Sequence, residues 1–101
     1  MKIMPSIFEI EDKSGRKIHL TKERWTHINQ EHPEVSSYLE EIQETLKNPI
    51  KIQEVDYDKD VRHYYRYYKS IELPAKNLLV IVKYLNGEGF IITSYFIRSI
   101  K

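Results

Sequence analysis

An Asn48-Pro49 step followed by four β-rich runs constrains the fold of this chain more than any other sequence feature. The runs, between residues 50 and 97, are IKIQEVD, VRHYYRYYK, NLLVIVKYL and GFIITSYFI. Proline ends a preceding helix, and β-branched and aromatic side chains favour strands. Asp58-Lys59-Asp60 and residues 86–89 are typical of hairpin connections, whereas residues 70–76 form a longer loop. The second half of the chain therefore predicts four sequential antiparallel strands.

The first half of the chain predicts a strand hairpin and then a helix. Residues Ser6 to Leu20 alternate apolar and polar side chains around the turn-forming Lys13-Ser14-Gly15. Thr21 is a suitable N-cap for a helix that ends near His32. Pro33 disfavours helical geometry in the residue before it but is accepted at the first position of a helix, so we expect His32 to separate two helices.

A second helix is predicted from Pro33 onward by an apolar stripe at helical spacing, formed by Val35, Tyr38, Leu39, Ile42 and Leu46. We expect this stripe to pack on the sheet face that carries Val80 and Val82, which leaves the opposite face open to a ligand. The fold class is then α+β, with an N-terminal hairpin and two short helices packed on an antiparallel sheet of four or more strands. A length of 101 residues predicts a single domain, residues 1–101.

Composition excludes several kinds of site and location. The chain has no cysteine, which rules out disulfides, thiolate zinc sites and thiol nucleophiles. No segment approaches the roughly 18 apolar residues of a membrane span, and the N-terminus lacks the apolar run of a secretory signal. We therefore expect a cytoplasmic protein without a membrane partner.

His27 and His32 are the first candidate functional residues. Five helical residues rotate by about 140°, so these two rings would not converge on one metal ion, and no metal site is expected from them. His32, at the start of a helix, is placed to contact a phosphate or to act as an acid or base. The alternative is that both are surface or capping histidines.

The VRHYYRYYK run is the second candidate. Strand alternation places Arg62, Tyr64, Arg66 and Tyr68 on one face. Two guanidinium groups on one face can clamp phosphates, and the interleaved tyrosine rings can stack on bases of a single-stranded nucleic acid. The alternative is a solvent-facing strand whose tyrosines pack on its neighbours.

The last hairpin contributes Lys83, Thr93 and Tyr95. A bulged loop with Gly89 in the left-handed conformation would place Lys83 opposite Thr93, on the face of Tyr95. A two-residue Asn86-Gly87 turn would place Lys83 opposite Phe90 and, by strict alternation, on the other face. We expect the bulged loop, because it needs a left-handed conformation at residue 89, which glycine adopts without steric cost.

Several short motifs, in this order along the chain, resemble those of one nuclease superfamily: Thr21, Trp25, His27, His32-Pro33-Glu34, Arg62, Tyr64-Tyr65-Arg66-Tyr67-Tyr68, Val82-Lys83 and Thr93-Ser94-Tyr95. The chain resembles the small phage-associated nucleases of the barnase/EndoU/colicin/RelE-like superfamily from about Gly15 to Lys101. The resemblance implies a helical part packed on an antiparallel sheet that cleaves RNA without a metal or cofactor. Such proteins are often toxins or effectors that act on tRNA or mRNA.

The resemblance also implies residue roles. His27 and His32 would be the catalytic acid and base, and Arg62 and Arg66 would bind phosphate, with Tyr64 and Tyr68 beside them. Lys83, Thr93 and Tyr95 would stabilise the pentacoordinate phosphorane, whose oxygens gain negative charge in the transition state. One departure is Glu31, where the family often has arginine.

The leading hypothesis is therefore a metal-independent endoribonuclease with no cofactor, an RNA substrate and a cognate antitoxin or immunity protein as a candidate partner. The alternative is a non-catalytic module that binds RNA or protein through the Arg/Tyr strand. A third hypothesis is a structural domain that dimerises through exposed tyrosines, which the net charge of only +1 favours somewhat.

Overall fold

The computed structural model describes residues 6–100, which form a six-stranded sheet with its helices on one face. The strands are β1 (Ser6–Glu11), β2 (Lys17–Thr21), β3 (Lys51–Val55), β4 (Asp58–Tyr67), β5 (Asn77–Leu85) and β6 (Glu88–Ile97). The helices are α1 (Lys22–Glu31), a 3₁₀ helix (Pro33–Ser37) and α2 (Leu39–Lys47).

The strand order is β1-β2-β6-β5-β4-β3, with β3 to β6 antiparallel as expected. The N-terminal hairpin does not pack on this sheet but extends it. Its second strand, β2, pairs with β6 in parallel, at Ile18↔Gly89 and His19↔Phe90. The α+β class is confirmed, and the sheet is larger and mixed because the hairpin adds two strands.

The helical part follows the predicted boundaries at His32. The Thr21 hydroxyl accepts a hydrogen bond from the Arg24 backbone N–H at 3.1 Å, and α1 ends where the His32 N–H donates to the Ile28 carbonyl. The expectation of one continuous helix from Pro33 onward is wrong. Tyr38 leaves helical geometry, with φ −119° and ψ 32°, and its ring packs edge-on against Phe96.

The predicted layer arrangement is confirmed. Val35, Ile42 and Leu46 are fully buried and belong to one core cluster with Val80 and Val82. The helices therefore cover the sheet face of Val80 and Val82. We call the other side the open face. By strand alternation and register, strands β3 to β6 contribute to it Gln53, Val61, His63, Tyr65, Leu79, Ile81, Lys83, Phe90, Thr93 and Tyr95.

The prediction for the last hairpin is wrong. The turn has two residues, and the positive φ values belong to Asn86 (56°) and Gly87 (84°), not to Gly89. Leu85 consequently pairs with Glu88, and Lys83 pairs with Phe90 rather than with Thr93. Asn-Gly favours this turn because both central residues tolerate the left-handed region.

A β-bulge in β6 nevertheless returns Lys83 to the face of Tyr95. Val82 pairs with Ile91, but the next residue back along β5, Ile81, pairs with Thr93. One extra residue, Ile92, is thus inserted between the two pairs, which reverses the parity of the register. The expectation that a two-residue turn separates Lys83 from Thr93 is therefore also wrong, because it assumed unbroken alternation.

Gly89 is required for space rather than for backbone conformation. A Cβ at this position would approach Ile18 Cδ1 too closely, and it would lie 2.8 Å from Val82 Cγ1. This is the point where β2 meets β6 in parallel. The missing side chain thus lets the N-terminal hairpin join the sheet.

We expect Gly89→Ala to destabilise the fold, because overpacking a filled site costs about 1–3 kcal/mol. For a domain of this size that lowers Tm by roughly 4–8 °C per kcal/mol, which thermal unfolding measures. Gly87→Asn is the matched control and should be close to neutral, because asparagine tolerates a positive φ and open space surrounds this position. A Tm unchanged by Gly89→Ala would contradict the close packing of β2 on β6.

A buried carboxylate ties the first hairpin to the rest of the molecule. Asp12 Oδ1 accepts from the Ser14 and Arg16 backbone N–H groups, which shapes the β1–β2 turn. Its Oδ2 accepts from the Tyr64 hydroxyl at 2.9 Å and the Tyr84 hydroxyl at 2.7 Å. Burial opposes the ionisation of Asp12, but these hydrogen bonds outweigh burial and lower its pKa.

Asp12 should make the stability depend on pH in the acid range. Its folded-state pKa lies below the ordinary 3.8, so its contribution is complete above that pH and is lost as the pH falls through the folded value. Urea unfolding between roughly pH 2 and pH 6 measures this loss. We expect Asp12→Asn to reduce the dependence of the unfolding free energy on pH, and Asp56→Asn, a change at an exposed residue, to leave this dependence unchanged. Equal slopes in the two variants would argue against the buried carboxylate.

Candidate active site on the open sheet face

A groove of about 640 Å³ crosses the open face between the β3–β4 hairpin and the C-terminal half of β6. Leu79 forms its floor, with His63 and Tyr65 from β4 on one side and Tyr95 from β6 on the other. The register explains this arrangement, because Tyr65 and Tyr95 both pair with Leu79. Two phenol groups therefore face each other across one apolar side chain.

Hydrogen bonds hold the β4 side of this groove. The Tyr65 hydroxyl donates to Gln53 Oε1 at 3.1 Å, and His63 Nδ1 lies 3.4 Å from the same hydroxyl. Burial lowers the pKa of His63. Its Nε2 is buried and has no hydrogen-bond partner within residues 6–100. A neutral imidazole with an unpartnered nitrogen is equipped to accept a proton.

His32 adjoins the Tyr95 side of the groove, although it is not one of the lining residues. Its ring stacks on Tyr95, with centroids 4.6 Å apart and an angle of 21° between the planes. Strand β2 pairs only with the first residues of β6. Helix α1 contacts β6 and ends at His32, which brings the His32 ring to Tyr95. The Glu34 carboxylate lies 3.7 Å from His32 Nδ1. The structure thus brings together His32 and Tyr95.

Thr93 belongs to the same face. It and His63 pair with Ile81 from opposite sides, and Thr93 Oγ1 likewise has no partner in the described chain. Lys83 is two residues from Ile81 on β5 and therefore lies on the same face, but its ammonium forms an ion pair with Asp58. This pairing raises the pKa of Lys83 and lowers that of Asp58. The lysine is therefore charged and already neutralised by a carboxylate.

His27 lies apart from these residues. It is exposed on α1 and lines a separate groove with Arg24, Phe90 and Ile92. The structure does not place His27 and His32 at one phosphate, since the two histidines line different parts of the molecule.

The Arg/Tyr set of β4 lies on one face as predicted, but this is the helix-covered face. Tyr64 is 1% exposed, and the Tyr68 hydroxyl lies within hydrogen-bond distance of Thr45 Oγ1 and the Glu41 carbonyl of α2. The expectation that these rings are exposed for base stacking is wrong, because alternation groups side chains without telling which group the helices cover.

The two arginines of this set are occupied by the protein itself. Arg66 Nη1 donates to the Asn48 carbonyl at 2.7 Å, at the end of α2. Arg62 lies over the Tyr84 ring at 5.3 Å and 3.9 Å from a Glu54 carboxylate oxygen. These contacts fit a structural role and do not leave the phosphate clamp that the sequence predicts.

Sequence reasoning missed His63 and Tyr65, although both lie in the run that it singled out. The pairing of β4 with β5 could have identified them. Tyr64 pairs with Val80, so the residues on either side of Tyr64, which are His63 and Tyr65, lie on the opposite face. Since the sequence already assigned Val80 to the helix-covered face, a known β4–β5 register would have placed His63 and Tyr65 on the open face. The register itself was not predictable from strand composition.

Within residues 6–100 no group of three histidine, cysteine or acidic side chains is arranged to hold a metal ion. None of the helices in that range has the length and apolar character needed to cross a bilayer.

A family model described as phage-Barnase-EndoU-ColicinE5/D-RelE like nuclease 2 matches residues 5–100. The chain belongs to this nuclease family. No curated protein and no solved structure matches it. Family membership makes nucleic acid the class of substrate to expect.

We expect Arg66→Ala to change stability rather than nucleic-acid binding. Loss of the hydrogen bond to the Asn48 carbonyl should cost about 1 kcal/mol, seen as a lower Tm. The salt dependence of single-stranded RNA binding should stay the same, with Lys47→Ala as a charge-matched control on α2. A slope reduced by about 0.7 would instead place Arg66 on a phosphate and restore the sequence-based prediction.

Proposed function

We propose that this protein is an endoribonuclease that cleaves RNA by attack of the ribose 2′-hydroxyl on the adjacent phosphorus. The observation that carries the proposal is one groove in which His63 and Tyr65 face Tyr95, with His32 stacked on Tyr95. Two histidines on opposite sides of a phosphate supply a base and an acid. Membership of a nuclease family supports the choice of a nucleic acid as substrate.

His63 is the proposed base. Its lowered pKa keeps the ring neutral at physiological pH. In the proposal, substrate binding turns the ring so that Nε2, which is buried and unpartnered in the free protein, accepts the proton of the 2′-hydroxyl. The 2′-oxygen then bonds to phosphorus. Tyr65, which donates to Gln53, holds the edge of the groove beside this histidine.

His32 is the proposed acid. It gives a proton to the 5′-oxygen as the bond from phosphorus to that oxygen breaks, and the products are a 2′,3′-cyclic phosphate and a 5′-hydroxyl. The Tyr95 hydroxyl donates to the phosphoryl oxygens, whose charge grows in the transition state. In the proposal, Lys83 joins it once it exchanges Asp58 for the substrate, and the Thr93 hydroxyl joins it once it rotates out of its buried position. Because all proton transfers use side chains, the reaction as proposed needs no metal.

The groove favours a single strand over a duplex. Tyr57, which is 74% exposed, extends its aromatic lining beyond Tyr65 and Tyr95, and separated bases can stack on such rings. We propose single-stranded regions of tRNA or mRNA as substrates. A cognate antitoxin or immunity protein would inhibit by covering this groove.

A non-catalytic RNA-binding module is the second candidate function. The observation that favours it is the ion pair between Lys83 and Asp58, which occupies the one lysine expected to stabilise the transition state. This candidate predicts binding in the groove without strand cleavage.

We expect His63→Gln and His32→Gln each to lower kcat about 10²- to 10⁴-fold on a single-stranded RNA, the usual contribution of a positioned acid or base. Circular dichroism should show that the fold is retained. Tyr95→Phe should also lower kcat, whereas Tyr38→Phe, which removes a hydroxyl from the helix side, is the matched control and should not. Cleavage should persist in EDTA, and a DNA strand of the same sequence should resist it.

The pH profile tests the assignment of His63. The base must be neutral, so kcat/KM should rise with pH, with the midpoint of this rise below the ordinary histidine pKa of about 6.5, because burial lowers the pKa of His63. This limb should disappear in His63→Gln. Cleavage of DNA at a comparable rate, or an RNA product without a cyclic phosphate, would refute the 2′-hydroxyl mechanism.

A further inference from the structure

We infer that a second groove on the open face, built around Phe90, binds a neighbouring nucleotide of the same RNA strand by base stacking and a phosphate contact. The inference rests on the proposed function, because it assumes that the strand bound beside Tyr95 is RNA. The groove has a volume of about 340 Å³, within the range of roughly 300–1,000 Å³ that small-molecule sites occupy.

Phe90 is a stacking surface that the fold holds in place. It projects from β6 onto the open face and is 36% exposed, which is unusual for a phenylalanine on a sheet. His19 of β2 stacks on one side of its ring, with centroids 5.0 Å apart and an angle of 18° between the planes. His19 Nδ1 in turn lies 2.9 Å from Glu9 Oε2, and His19 Nε2 forms a hydrogen bond with the Glu88 carboxylate. The ring is thus supported from one side and accessible on the remainder.

Basic side chains face this ring from α1, where the Glu23 carboxylate also lines the groove. Arg24 and His27 line the groove on successive turns of the helix, and both side chains are exposed. Within residues 6–100 no hydrogen bond or ion pair occupies the Arg24 guanidinium. An aromatic ring beside an available guanidinium is the combination that binds one nucleotide of a single strand, since the ring takes the base and the cation takes the phosphate.

The second groove lies on the path of a strand through the first. Phe90 and Tyr95 belong to β6 and both face the open side. Because of the bulge, they pair with Lys83 and Leu79, which are four residues apart on β5, so at about 3.3 Å per residue they are separated by about 13 Å along the strand. A dinucleotide at Tyr95 does not span this distance, whereas a longer oligonucleotide reaches both. His27 thereby gains a role in holding substrate, away from the bond that is cleaved.

The test is a comparison of two all-DNA probes, a decamer and a dinucleotide, which lack the 2′-hydroxyl and stay intact during the measurement. Binding is followed by fluorescence anisotropy. We expect Phe90→Ala to reduce the affinity advantage of the decamer over the dinucleotide roughly 5- to 150-fold, the range for one lost base stack. Phe90→Tyr, which keeps an aromatic ring, should retain the advantage.

Arg24 is tested by salt dependence. Arg24→Ala should lower the slope of log affinity against log salt for the decamer by about 0.7, the value for one phosphate on a single strand. Arg24→Lys should keep the slope, and Lys47→Ala is the charge-matched control.

The outcomes separate the two proposals. If the wild-type protein cleaves RNA but Phe90→Ala and Arg24→Ala bind the decamer as the wild type does, the second groove is not a nucleotide site. If the wild-type protein binds the decamer with the expected variant effects but leaves RNA uncut, the groove stands and the nuclease proposal fails. Absence of any decamer binding overturns the inference and favours a protein partner for this surface.

Discussion

The extra residue in β6 is the constraint on which the rest of the open face depends. The tight Asn86-Gly87 turn alone would send Lys83 and Thr93 to opposite faces, whereas the bulge at Ile92 returns Thr93 and Tyr95 to the open side. The same strand then carries Phe90 before the bulge and Tyr95 after it. Bulges often redirect side chains beside functional sites, and this one aligns two grooves along a single strand.

The helices determine which sheet face forms the core and which face stays accessible. Their buried stripe covers Val80, Val82 and Tyr64, and the Asp12 carboxylate links Tyr64 and Tyr84 to the first hairpin on that side. The aromatic and basic groups of that face therefore hold the fold together. The histidines lie on the other side: His63 lines the first groove, His32 stacks on Tyr95, and His19 and His27 line the groove around Phe90.

Sequence patterns predicted the elements well because local chemistry determines them. The Thr21 cap, the break at His32-Pro33 and the β-rich runs each depend on neighbouring residues, and the helical stripe of Val35, Ile42 and Leu46 identified the covered face. The site depended instead on register and on which strands meet. The parallel pairing of β2 with β6, the bulge at Ile92 and the position of His63, rather than Arg62, on the open face are set by tertiary packing, which periodicity does not encode.

The central claim is that nucleic acid binds the open face and not the helix-covered side. The most direct measurement is an NMR titration with a single-stranded DNA decamer, following histidine ring signals and isoleucine and leucine methyl signals. The account predicts the largest shift changes at His32, His63 and the methyls of Leu79 and Ile81, with Ile42 and Leu46 of α2 nearly unchanged. Changes concentrated at Ile42 and Leu46, with unshifted histidine rings, would contradict it.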